Sequence, residues 1–423
     1  MQITCVPATG LAPAVACNSG DIAWVMTATA LVMIMTPGLG FFYGGLVRRK
    51  NLVSTIVQCM AIFALVSVAW AIWGYTLTFG ASTLDGFIGN FQYFALNNVG
   101  STADTAYSST IPALLYFAFQ LKFAAITPAL IIGAFAGRIR LKPLLIFILA
   151  WVTFIYFPVA HWVWGDGGWL KVMGVEDFAG GMVVHTTAGV SALAAALVIG
   201  RGVDFGKESR PNNVPYVILG TAILWFGWFG FNAGSSLSAD AIGVNALVTT
   251  NLAAAAAGLS WMIIDWVRKG KPSAVGMCVG FVCGLAAVTP AAGFVSPTYA
   301  MIIGIVAGVG CNFVANWRAR TKLDDSLDVF ACHGVGGMWG TIATGLFASA
   351  AISGSDGLIN GNVHFALLQM FAVAVIATFA FVGTFVILRV INYFSPLRTS
   401  TEEERAGLDE VHFGEEAYYP TSE

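Results

Sequence analysis

Apolar residues run along this chain in long blocks, separated by short joints rich in Gly, Arg, Lys and Asn. Eleven blocks can be read, at 22–46, 52–79, 110–137, 143–162, 179–200, 214–236, 242–267, 273–293, 298–317, 328–351 and 363–394. A helix needs about 20 apolar residues to cross the hydrocarbon core of a bilayer. The pattern therefore predicts an all-α polytopic membrane protein of eleven transmembrane helices. Residues 1–21 are expected to be an external N-terminal segment, 22–394 the bundle and 395–423 a cytoplasmic tail. Spans one to five and six to ten are expected to form two inverted five-helix halves, because an odd number of spans turns the second half over. Span eleven is then an extra outer helix.

The joints carry a charge bias. Arg48, Arg49 and Lys50 follow span one, and Arg138, Arg140 and Lys142 follow span three. Arg201, Lys207 and Arg210 follow span five, and Arg268, Lys269 and Lys271 follow span seven. Arg318, Arg320 and Lys322 follow span nine, and Arg389, Arg398 and Arg405 end span eleven and enter the tail. Only Lys122 and Lys171 lie elsewhere. The positive-inside rule puts these joints in the cytoplasm and the N-terminus outside, in a plasma or bacterial inner membrane.

Composition agrees. The chain is 57% hydrophobic and 10% charged, against about 25% charged residues in soluble domains. Its mean hydropathy is +0.78. A net charge of −2 excludes a basic nucleic-acid binder. The 48 glycines suit close helix packing. The first twenty residues lack a basic start and a continuous apolar core, so they read as an external segment, not a signal peptide. Cys5 and Cys17 lie there and can pair if that segment is extracytoplasmic. The other five cysteines fall in apolar spans, as buried small residues do, and no spacing suggests zinc or haem.

Candidate chemistry begins with histidine. The chain has five, and two sit in apolar runs: His185, eight residues after Asp177, and His333, five after Asp328. An ionisable residue inside a span is a functional hypothesis by default. Eight helical residues would carry His185 about 12 Å inward. His185 descends from outside and His333 rises from the cytoplasmic side, so the rings can meet and fix each other's tautomer. The alternative is two unrelated rings satisfied by backbone carbonyls. Two histidines fall short of the three protein ligands usual for a metal, and neither a nucleophile motif nor a cofactor motif is present, so no enzyme is expected. Asp177 and Asp328 read first as helix N-caps. Phe119 and Phe123 share one helix face, as do Phe231 and Ser235; such pairs are either core packing or an apolar constriction. Loop 163–178, with Trp164, Asp166, Trp169, Glu176 and Asp177, reads either as a cation-attracting mouth or as an interfacial aromatic belt.

Several of these stretches together resemble the ammonium transporter (Amt/Mep/Rh) family, best its bacterial and archaeal branch. They are Pro37-Gly38…Phe42-Tyr43-Gly44-Gly45-Leu46, Asp177-Phe178-Ala179-Gly180-Gly181…His185, Trp225-Phe226-Gly227-Trp228-Phe229-Gly230-Phe231-Asn232-Ala233-Gly234-Ser235 and Asp328-Val329-Phe330…His333-Gly334. The resemblance implies a homotrimer with one pore per protomer. It makes Trp164, Phe123 and Ser235 an ammonium recruitment site, with Asp177 in support. Phe123 and Phe231 become a phenylalanine gate, with Phe119 and Gln120 beside it, and His185 and His333 a twin-histidine pair. The tail from Glu402 to Tyr418 resembles a regulatory tail that touches neighbouring protomers and a PII-type signalling protein. Ammonium would lose its proton and cross as ammonia, with or without separate proton transfer. The alternative reading is an ammonium sensor that signals through its tail. Lys122, beside Phe123, departs from the pattern and is expected to turn away from the pore toward a carboxylate or carbonyl.

Overall fold

The computed structural model describes residues 17–207 and 210–418, with the backbone of Thr4–Cys5 and Val15–Ala16, which pair as a two-stranded antiparallel ribbon. Cys17 is disulfide-bonded; the Cys5 side chain lies outside the described residues.

The bundle is all-α. Nine helices among the described residues are long and apolar enough to cross a membrane, and two shorter ones bring the number to eleven. They are α1 (Ser19–Leu46), α2 (Arg49–Phe79), α3 (Ala113–Phe135), α4 (Leu141–Trp151, a π-helical turn Val152–Tyr156, then Phe157–Trp164), α5 (Gly181–Ile199) and α6 (Val214–Ala233). Then come α7 (Ala241–Lys269), α8 (Ala274–Val288), α9 (Pro297–Arg318), α10 (a π-helical turn Phe330–Val335, then Gly336–Phe347) and α11 (Val363–Phe394). Helix ends depart from the apolar blocks where local hydrogen bonding decides them. Helix α1 starts at Ser19 because Asn18 Oδ1 accepts from the Gly20 and Asp21 amides.

The first helix of one half lies along the first of the other, α1 on α6, and the fifth along the fifth, α5 on α10. This is the pairing of an inverted repeat, and α11 packs outside it on α5 and α10. Lipid gives no hydrophobic drive between helices, so they associate where backbones can approach. Along α1 and α6 a Cβ on Gly220 would strike the backbone of Phe42, and one on Gly227 would strike Met35.

The repeat extends to the helix starts, and here one expectation is corrected. Asp328 does not cap α10. Its backbone turns left-handed, at φ 56°, which points its carboxylate at Arg318, 2.8 Å away. The cap is Asp325, which accepts from the amides of Val329 (3.1 Å) and Phe330 (2.8 Å). Asp325 precedes His333 by eight residues, the same interval that separates Asp177 from His185. With Asp325 and not Asp328 as the cap, the spacing is equal in the two halves.

The tail forms two short helices, α12 (Thr401–Ala406) and α13 (Leu408–Phe413). They lie on the loops of their own chain. Asp409 accepts from the amides of Val53 (3.0 Å) and Ser54 (2.7 Å), at the start of α2, where Asn51 supplies no side-chain cap. Asn51 instead accepts from the Leu408 amide. Glu404 accepts from the Val203 amide and pairs with Arg398.

Asp325→Ala is expected to cost about 1–2 kcal/mol, the usual worth of a lost cap. Asp328→Ala removes a partly exposed pair and is expected to cost less than about 1 kcal/mol. Thermal melts of the two purified variants check the order; a larger loss for Asp328→Ala would reverse the assignment.

Candidate functional site

The His185 and His333 rings meet in the middle of the bundle. Both are buried, their Nδ1 atoms are 3.2 Å apart and the rings are near-parallel, at 20°. One Nδ1–H donates to the other Nδ1, so the pair needs no further partner on that side. Among the described residues, His185 Nε2 has no hydrogen-bond partner.

Local backbone geometry puts the rings there. Asp177 accepts from four successive amides, Gly180, Gly181, Met182 and Val183, at 2.7–3.1 Å. Burial raises the Asp177 carboxyl above its ordinary range, and these amides pull it back only in part. Gly180 takes φ 118°, a value that suits glycine, so the helix itself begins only at Gly181. His185 therefore lies one turn into α5, in a π-helical turn (Gly181–Thr186), instead of eight helical residues deep. His333 occupies the matching π-helical turn of α10. The two helices cross at Gly189 and Gly334, where a Cβ on Gly189 would overlap the Gly334 backbone. A Cβ on Gly337 would come 2.8 Å from His185 Cβ. Only glycine lets α5 and α10 close far enough for the rings to share a hydrogen bond.

A file of rings leads away from the pair. His185 stacks 6.0 Å from Phe231, Phe231 lies 4.2 Å from Phe123, and Phe123 meets Trp164 edge to face at 6.1 Å. Phe119 stands 4.9 Å behind Phe123. Trp228, one of several aromatic residues in its stretch and given away by no spacing, covers His185 at 5.4 Å and anchors its indole on Thr289. Around the histidines is a lumen of about 10 Å³ walled by apolar side chains such as Leu39, Ile126 and Val184. That is barely room for one water-sized molecule.

On the Trp164 side of the two Phe rings is a cavity of about 190 Å³. Trp164, Phe123, Ser235, Gln120 and Phe178 line it. The Trp164 indole is fixed by donating to the Asp177 carbonyl at 2.8 Å, and the Ser235 hydroxyl donates to the Phe231 carbonyl at 2.8 Å. Gln120 donates to the Tyr116 hydroxyl at 3.3 Å. The structure thus gathers Trp164, Phe123, Ser235, Phe231, Phe119, Gln120, His185 and His333 along one path, with Asp177 behind it. Asp328 stays apart, on Arg318.

The acidic groups of loop 163–178 do not line that cavity. Asp177 is turned to the amides, Glu176 accepts from Ser355 and is held by Gln369, and Asp166 is exposed. Burial raises the Glu176 carboxyl, and Ser355 works against that rise. Lys122 does turn from the cavity, as its position predicts. Its partner, however, is an aromatic face, with Nζ 5.1 Å from the Phe63 centroid, because α2 offers a ring at that depth and no carboxylate.

The family model described as "Ammonium Transporter Family" matches residues 23–418. An ammonium transporter of Bacillus subtilis is 44% identical over 94% of this chain and 98% of its own. Ammonium transporter Amt1 of Archaeoglobus fulgidus is 42% identical over 95% and 100%. Among solved structures, Saccharomyces cerevisiae Mep2 superposes with a TM-score of 0.86 at 37% identity, covering 91% of this chain and 88% of that one. A structure titled "Sensor Amt Protein" superposes with a TM-score of 0.86 at 30% identity, covering 93% and 98%.

Gly189→Ala is expected to wedge α5 from α10, at the roughly 1–3 kcal/mol typical of overpacking, and to lower ammonium uptake severalfold. A melt and an uptake rate equal to the parent's would count against this crossing as the device that joins the rings.

Proposed function

The chain belongs to the ammonium transporter family, and we propose that its ammonium path is the file Trp164–Phe123–Phe231–His185–His333. The observation that carries this is the unbroken succession of rings, at 6.1, 4.2, 6.0 and 5.2 Å, from an open cavity to a buried histidine pair. The basic joints favour Trp164 outside and the tail in the cytoplasm.

Ammonium gathers in the cavity at the Trp164 and Phe123 faces and the Ser235 hydroxyl oxygen. A cation on an aromatic face gains about 0.5–2 kcal/mol, enough to concentrate it and too little to trap it. Phe123 and Phe231 close the way below. A cation moving past them would lose its hydration for a narrow apolar lumen, at a cost that neutral ammonia does not meet. Deprotonation therefore precedes passage. The proton leaves to the outer solution, or crosses separately by way of the histidines. In the lumen, ammonia passes the free His185 Nε2 while the shared Nδ1 proton keeps both rings in register. The protomer works within a homotrimer. Its tail, strapped to the start of α2 and to the loop after α5, is a lever that a PII-type protein or a neighbouring protomer can grip.

A second reading, an ammonium sensor, draws on the likeness to the structure titled "Sensor Amt Protein". Ammonium pulses on proteoliposomes separate the possibilities. A saturable current marks electrogenic transport, alkalinisation without current marks an ammonia channel, and neither marks a sensor.

Trp164→Leu is expected to raise the KM for ammonium roughly fivefold, in line with the loss of one cation–π contact. Replacing both histidines, His185→Ala with His333→Ala, is expected to abolish selective transport or its charge coupling. Unchanged ammonium current with unchanged rejection of K+ in the double variant would refute the role given to the pair.

A further inference from the structure

The cavity beside Trp164 has one formally charged side chain in its wall, and it is a cation. Lys171, on a single helical turn (Trp169–Val172), lines the cavity together with Trp164, Phe123 and Ser235. Its Nζ donates to the Trp164 carbonyl at 3.3 Å and stands 5.8 Å from the centroid of Tyr107. Among the described residues no carboxylate lies at salt-bridge distance from it, although Asp166 is near enough to be felt. A primary ammonium is thus tethered to the rim, held by a carbonyl and an aromatic face. These are the kinds of contact by which a free ammonium ion would be held in the same cavity.

We propose that Lys171 sets the affinity of the outer site, weakening ammonium binding by charge repulsion while leaving the choice among monovalent cations to Trp164, Phe123 and Ser235. The proposal rests on the reading of this cavity as the recruitment site. A structural duty is visible as well, since a lysine on the last carbonyl of α4 is a favourable helix-end contact. That duty needs a donor, which glutamine and arginine also provide. Repulsion needs the charge. Two unit charges several ångströms apart at a water-facing rim repel enough to change an affinity roughly two- to fivefold, and salt shortens the reach of such charges to a few ångströms.

The test is ammonium-pulse electrophysiology on proteoliposomes at low ionic strength and in NaCl. Lys171→Gln is expected to lower the KM for ammonium roughly two- to fivefold with little change in maximal current. Lys171→Glu should lower it further, and Lys171→Arg should match the parent. The KM for methylammonium should fall by the same factor, because charge alone acts, and the differences should collapse at about 0.5 M NaCl. An unchanged KM in both Lys171→Gln and Lys171→Glu overturns the proposal, and so does Lys171→Arg behaving like Lys171→Gln. Trp164→Leu, run alongside, distinguishes a deeper failure. If it leaves KM unchanged while the Lys171 variants shift it, the cation is recruited elsewhere and both the recruitment site and this proposal fall.

Discussion

Hydrocarbon supplies no hydrogen bonds, so a polar group carried to the middle of a bilayer has to bring its partner along. The two imidazoles meet that demand through each other. Their contact rests on backbone features, not on neighbouring side chains. Two aspartates start two helices, each eight residues before a ring. Two π-helical turns carry those rings, and a glycine-on-glycine crossing lets the helices close. Fold symmetry is used here as chemistry: the same device, repeated upside down, brings the two rings within hydrogen-bond distance of each other.

The same constraint shapes the cavity beside Trp164. A carboxylate there would hold a cation firmly, and a firmly held ion does not move on. The acids that precede α5 are spent on backbone amides, a serine or bulk water. What faces the cavity is a set of ring faces, a hydroxyl oxygen, an amide and one lysine, and no carboxylate.

Much of this was legible in the sequence. Span number and order follow from apolar run length, since the bilayer imposes that length on every helix. The histidine pair was legible because charge-capable residues are rare at depth, and the two phenylalanines because they accompany familiar motifs. What escaped depended on backbone turns. Asp324, Asp325 and Asp328 are alternatives on paper, and only the left-handed turn at Asp328 makes Asp325 the cap. Trp228 looked like one more aromatic residue in a motif full of them. Loop 163–178 showed three acids and one lysine, and a folded loop, unlike a count, decides which of them faces inward.

The strap from Asp409 to the amides of Val53 and Ser54 has a consequence in time. The group that finishes the start of α2 is encoded 356 residues after it, so at ordinary synthesis rates it reaches its place roughly 20 to 70 s after the helix itself is made. Until then two amides at the membrane surface wait on water. A nascent chain, or one shortened before residue 409, shows an unfinished helix end on the tail-side surface, which a completed chain conceals.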